Sequence, residues 1–238
     1  MGSRGNRWFA RWLATGAGLA AAAYGAYVAV AWLRYGHVAP PATKDDADPL
    51  LDRFMPAYDV VDRHQVRVAA PAAITFAVAS EMDLLQSGPI RAIFQGREWI
   101  MGSTPDATHR PRAFLALAKS IGWGVLAERP GQEIVMGAVT QPWLADVVFR
   151  PLPPDEFVAF NQPGYVKIAW TVRADPVADD SSVFRTETRV APTDPVARAK
   201  FRTYWSFVSP GIVLIRRLML KPLKAEAERR RGAAMGHI

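Results

Sequence analysis

The sequence predicts an α+β protein: an antiparallel β-sheet against one long C-terminal helix, with a separate apolar helix ahead of both. Three observations predict it. Runs that alternate apolar and polar residues, cut by turn residues such as Pro130-Gly131 and Pro163-Gly164, fill the centre of the chain, and period two marks half-buried strands. After Thr193-Asp194-Pro195 the period changes to three and four, which is helical. Residues 13–33 carry no charge at all.

Composition bounds the function classes. The chain has 238 residues, half of them hydrophobic, 21% charged and 11% aromatic, which supports a packed core and excludes a disordered or fibrous chain. Cysteine is absent, so thiolate metal sites, disulfides and Cys nucleophiles are excluded. His37, His64, His109 and His237 are too scattered for a local metal motif, and no metal or cofactor is expected. Residues 1–37 hold Arg4, Arg7, Arg11 and Arg34 and no acid; residues 211–238 hold seven basic residues against Glu226 and Glu228. The stretch between keeps 18 basic and 20 acidic residues of the chain's 29 and 22. A nucleic-acid partner requires a basic face on the folded body, so none is expected.

Residues 1–12 read as a basic tail and 13–33 as a single transmembrane helix. A helix of that length reaches about 31 Å, one hydrocarbon core. Trp8 and Trp12 precede it, and Trp32 and Tyr35 close it, as interfacial aromatics do. The arginines before it place the N-terminus in the cytoplasm and the body on the outer side, with the bilayer as partner. A cleaved signal peptide is the alternative, Val28-Ala29-Val30-Ala31 offering small residues for cleavage. Residues 34–57, with Pro40-Pro41, Asp45, Asp46, Asp48 and Pro49, read as a solvated linker.

The body, 58–222, opens with a strand. Tyr58, Val60, Asp62, His64, Val66 and Val68 share one face, and Val61, Arg63, Gln65 and Arg67 the other. Pro71 starts a helix, and a second is expected over 89–101. A Pro-rich break at 103–111 precedes an apolar helix at 113–121. Strands are expected over 124–128, 133–140, 156–161, 165–173 and 183–190, joined by short turns in the manner of an antiparallel sheet. The last helix carries Phe201, Tyr204, Trp205, Val208, Ile212, Ile215 and Met219 on one stripe. Pro210 is expected to kink it or to let Ser209 cap a new helix. Residues 223–238 read as a basic tail.

The order of elements resembles the START-like, or SRPBCC, superfamily of polyketide cyclases and birch-pollen-allergen-like proteins. VRVAAPAAITFAVASEMD (66–83) is similar to that family's first strand, turn and helix, and RTETRVAPTDPVARAKFRTYW (185–205) to its last strand running into the C-terminal helix. The resemblance covers 58–222 and departs at the 103–123 insert and at Pro210. It implies a helix-grip fold, in which a curved sheet grips the long helix around an apolar cavity.

The site residues follow from alternation. Asp62 and His64 point inward with Val66 and Val68; such a pair can hold a polar group of a ligand or move a proton, or it projects into water at the strand start. Thr186 and Thr188 share a face with Phe184 and Val190, placing Arg185, Glu187 and Arg189 outside; the hydroxyls orient a ligand or simply suit a strand. Trp99, Phe114, Trp143, Ile168, Trp170, Phe184, Tyr204 and Trp205 are the expected apolar lining, otherwise ordinary core. The expected function is binding of an apolar small molecule or lipid between sheet and helix without chemistry. The alternatives are a cyclase- or isomerase-type enzyme using Asp62 and His64, and an interaction module with a filled core.

Overall fold

The computed structural model describes residues 3–35, 37–39, 47–83, 86–88, 90–92, 95 and 111–235. The expected helix over 89–101 and Trp99 lie largely outside these residues. Strands β1 (Val60–Val68), β2 (Gly124–Arg129), β3 (Glu133–Thr140), β4 (Val166–Ala178) and β5 (Ser181–Pro192) form one antiparallel sheet in the order β1-β5-β4-β3-β2. The helices whose full extent lies among the described residues are α1 (Ser3–Arg34), α2 (Pro49–Asp52), α3 (Ala72–Glu81), α4 (Phe114–Ser120), α5 (Pro154–Ala159) and α6 (Pro195–Met235). The antiparallel sheet and the long last helix are as the sequence predicts.

The strand expected over 156–161 is instead α5. Its start explains why: Pro153-Pro154 fixes the entry, Asp155 and Glu156 sit in the first turn where the helix dipole favours acids, and Phe157 is buried. Helix α6 begins as predicted, with Asp194 accepting from the N–H groups of Val196 at 2.7 Å and Ala197 at 3.0 Å. It does not break at Pro210 and continues past 222, where the basic tail was expected. Leu223 and Ala227 are fully buried. The late charged residues bind the body: Arg230 bonds Glu81 at 2.7 Å, and Glu228, paired with Lys224 one turn back, accepts from the Ala69 N–H at 2.9 Å.

Each face of the sheet has its own cover. On one face α3, α4 and the second half of α6 close a core around Val68, Phe76, Trp170 and Phe184. On the other, residues expected to be solvated linker form a second core: Leu50, Leu51, Phe54 and Met55 pack, together with Tyr58, against Val135, Val139 and Phe157. The segment is short but well specified. Asp48 caps α2 by accepting from the Leu51 N–H at 2.9 Å, and Pro49 occupies the first turn. Arg189, expected outside, is therefore completely buried. It donates to Glu187 at 2.6 Å, to Asp52 at 2.6 Å and to the Met55 carbonyl at 2.7 Å.

This outer layer also buries Glu133 beside Asp48. Burial first, and the Asp48 charge second, push the Glu133 carboxyl up to about 7 from 4.5, against the opposing pull of Arg173 and Arg129. A carboxyl that holds its proton more tightly when folded lends stability at low pH and loses it as pH rises. Stability is thus expected to fall between about 4.5 and about 7 and then level off. Glu133→Gln should flatten that fall and leave the variant about 1–3 kcal/mol more stable than the parent at alkaline pH. Urea unfolding on both sides of neutrality checks it; equal pH slopes for parent and variant would refute it.

No described helix is long and apolar enough to cross a membrane. The residues expected to span form a helix within α1, and the side chains of Leu13, Ala14 and Ala17 lie outside the described residues. The structure shows residues 13–33 as part of one helix. Its second half packs against α6. Tyr24 donates to the Phe207 carbonyl at 2.7 Å, Tyr27 and Ser209 share a hydrogen bond at 3.1 Å, and Arg202 donates to the Trp32 carbonyl at 2.6 Å.

Candidate functional site

Register assembles a polar cluster in the middle of the sheet's α6 face. Asp62 lies opposite Thr188 and His64 opposite Thr186 on the β1–β5 ladder, and Thr188 lies opposite Trp170 on β4. Asp62, Thr188 and Trp170 therefore form one row across three strands, with His64 and Thr186 in the next inward row. The inward residues ahead of this belt, Val60 on β1 and Val190 on β5, join an apolar cluster with Ile168, Phe201, Tyr204, Trp205 and Trp143. Those beyond it, Val66 and Phe184, join Trp170, Phe114 and Trp123. The expected lining is thus two apolar clusters with a polar belt between them.

Arg216 of α6 completes the belt. Its guanidinium donates to the Thr188 hydroxyl and, at 3.4 Å, to the Thr186 hydroxyl. Its Nε lies 3.3 Å from Asp62 Oδ2, and His64 Nε2 lies 3.0 Å from Asp62 Oδ1. The inward orientation read for Asp62, His64, Thr186 and Thr188 is what brings them together. Arg216 was read as part of the basic C-terminal end. Its signal is phase: it falls four residues after Ile212 and three before Met219, on the stripe that packs inward.

The electrostatics follow from burial and pairing. Burial pushes the Asp62 carboxyl up, but the hydrogen bond with His64 and the charges of Arg216 and Arg217 outweigh it and hold the carboxyl below its ordinary range. Burial pulls the Arg216 guanidinium down, and Asp62 partly restores it. Asp62 thus stays ionised and balances Arg216, so the belt offers hydrogen-bond donors without a large excess of charge. An aspartate held against a histidine also has the parts of an acid–base pair.

Aromatic rings flank the belt at contact distance. Phe114 and Trp170 have centroids 5.3 Å apart, Trp123 and Trp170 5.7 Å, and Phe149 stacks on Trp123 at 4.7 Å. Two surface hollows lie along β1 and β5, and the second is lined in part by His64 and Thr186 of the belt. One of about 250 Å3 runs along Gln65, Arg67, Val183 and Arg185; another of about 210 Å3 lies by Asp48, Arg63, Arg173 and Glu187. Neither is lined by a residue of α6. Among the described residues, no group of three or more His, Asp or Glu is placed to hold a metal ion.

No family model matches the chain, and no curated protein matches it. Solved structures do align with it. A norcoclaurine synthase point mutant from Thalictrum flavum, in complex with a transition-state analogue, is 14% identical over 72% of this chain and 95% of that one, with a TM-score of 0.27. The Zhui aromatase/cyclase from Streptomyces sp. R1128 is 15% identical over 72% and 94%, with a TM-score of 0.22. A START superfamily protein from Mycobacterium smegmatis is 12% identical over 66% and 98%, with a TM-score of 0.20. Likenesses at these TM-scores carry no argument about fold or function. What the chain's own strand order and last helix establish is an α+β architecture, a five-stranded antiparallel sheet with a long C-terminal helix, consistent with the helix-grip fold.

Proposed function

We propose that the chain is a membrane-anchored, START-like ligand-binding protein that takes a mainly apolar molecule between sheet and α6 and orients it by one neutral oxygen. The observation that carries this reading is the half-buried Arg216, flanked by two threonine hydroxyls and balanced by Asp62. A fixed donor set inside an apolar layer suits an apolar ligand with few polar handles. Because Asp62 already neutralises the guanidinium, a ketone or hydroxyl oxygen fits better than a second carboxylate. The uncharged stretch 13–33, with its flanking arginines and aromatics, supports the anchor, the N-terminus on the cytoplasmic side and the body on the other.

The test is a titration of the detergent-extracted full chain with a fluorescent sterol and a fluorescent fatty acid, beside native mass spectrometry for a co-purified ligand. The sterol should bind more tightly than the fatty acid. Arg216→Met should weaken it about tenfold or more, the value of a hydrogen bond to a charged group. If the parent chain carries no ligand and binds neither probe, the sheet–helix interface is a filled core and the protein an interaction module.

The 3.0 Å contact between His64 and Asp62 favours a second reading, an isomerase- or cyclase-type enzyme in which the pair moves a proton on the bound molecule. That activity would show as deuterium exchange next to a ketone carbonyl in heavy water. His64→Gln should abolish the exchange and leave binding intact.

A further inference from the structure

Helix α6 is charged along its outward side except in one window. From Thr203 to Ile215 no residue carries a charge, and Arg202 and Arg216 bound the run. Within it Phe207 is 52% and Leu214 is 47% exposed. Thr203, Phe207, Pro210 and Leu214 recur at three- and four-residue steps, so one stripe of the helix turns apolar where a soluble helix turns polar. Charges resume on that stripe at Arg217 and Lys221.

The window lies where α1 docks, and two polar groups of this stretch, the Phe207 carbonyl and the Ser209 hydroxyl, meet tyrosines of α1. Pro210 has no N–H, so it leaves the carbonyl one turn back without its helical donor and loosens the ladder around it. Tyr24 of α1 donates to the neighbouring Phe207 carbonyl at 2.7 Å, and Tyr27 meets Ser209 at 3.1 Å. Ser206 and Ser209 are fully buried, and the Ser206 hydroxyl donates back to the Arg202 carbonyl at 2.8 Å. In water these bonds are dispensable, because solvent serves a loosened carbonyl. In hydrocarbon they are required, and neighbouring helices and Ser or Thr side chains supply them around a proline.

Depth follows from the docking. Tyr24 precedes Leu33 by nine residues, about 13 Å along a helix axis. A bilayer that takes α1 to Leu33 therefore meets α6 at Phe207 within the outer half of the hydrocarbon core, and at Arg202 near the level of Trp32. We infer that the uncharged middle of α6, presenting Phe207 and Leu214, is seated in the lipid bilayer beside α1, so that the body rests on the membrane through this face. The inference rests on the reading of α1 as a membrane anchor. It brings the α6 side of the belt around Arg216 close to the lipid from which an apolar ligand would come.

The chain has no cysteine, so single labels can be placed without a background. Phe207→Cys, Leu214→Cys, Leu19→Cys and Val177→Cys are each coupled to an environment-sensitive fluorophore in the full chain, reconstituted into phosphatidylcholine–phosphatidylglycerol vesicles. All four positions are exposed, so the labels leave the core intact. Quenching is read with a nitroxide on the acyl chain near the headgroup and with aqueous iodide. Labels at 207 and 214 should be quenched roughly twofold or more by the lipid nitroxide and little by iodide, as for side chains set into the outer half of the hydrocarbon core. The label at 177, on the β4–β5 hairpin, should respond to iodide alone. Lipid quenching at 19 with iodide quenching at 207 and 214 overturns the inference and leaves the anchor standing. Iodide quenching at 19 as well removes the anchor and the inference with it.

Discussion

Arg189→Met is expected to cost the fold about 3–5 kcal/mol, the range for breaking a buried ion pair by removing one partner. Methionine keeps most of the volume, so the loss reads out charge and hydrogen bonding rather than a cavity. Arg189 is fully buried, and its donors serve Glu187, Asp52 and the Met55 carbonyl. Its guanidinium also lies 4.6 Å from the ring centre of Tyr58. Without it Glu187 keeps Arg63, at 2.8 and 3.1 Å, but the Met55 carbonyl loses its donor and Asp52 its cation. Both belong to the segment around α2, so that layer should loosen first. Urea unfolding gives the cost, and limited proteolysis should cut first near 48–58. A loss below about 1 kcal/mol would mean that the layer is held by its apolar contacts alone. Pairing the change with Glu187→Gln should cost less than the two single changes together, since they share one network.

Trp205→Ala is expected to cost about 3–5 kcal/mol as well, here by leaving a cavity. The indole is buried, stacked on Phe201 with centroids 5.7 Å apart, and meets the edge of Tyr35 at 6.1 Å. Tyr35 follows directly on α1, so this contact ties the end of α1 to the body. The variant should lose thermal stability in detergent and also free the end of α1, which raises protease sensitivity around residue 36. Trp205→Phe fills most of the space and should recover more than half of the loss. A Trp205→Ala chain as stable as the parent would place the indole outside the core.

The sheet and the last helix were legible because their patterns are long. Over the nine residues of β1 one face is mostly apolar and the other mostly polar, and the stripe of α6 repeats over several turns. The inward set Asp62, His64, Thr186 and Thr188 was legible for the same reason, since alternation fixes a face once one apolar neighbour is assigned. The misread pieces are short or depend on partners remote in sequence. Helices α2 and α5 span 4 and 6 residues, too few to show a period, and Pro-Asp composition reads equally as linker. Arg189 reads as solvent-facing by alternation, because nothing local reveals that Asp52 and Tyr58 fold over it. Arg216 was obscured by composition: among seven late basic residues its inward phase does not stand out.

The ladder joins the first strand to the last, with Val60 opposite Val190. During synthesis β1 therefore leaves the ribosome long before the strand that completes it. At roughly 5–20 residues per second the gap is on the order of ten seconds. Through that interval β1 has no neighbour in the sheet, and Leu50, Leu51, Phe54 and Met55 have no surface to cover. Such non-local pairing makes folding slow and leaves apolar segments open to aggregation. A holding chaperone therefore has a defined target in residues 48–68. The order of folding, with β1 made first and closed last, is written into the strand order.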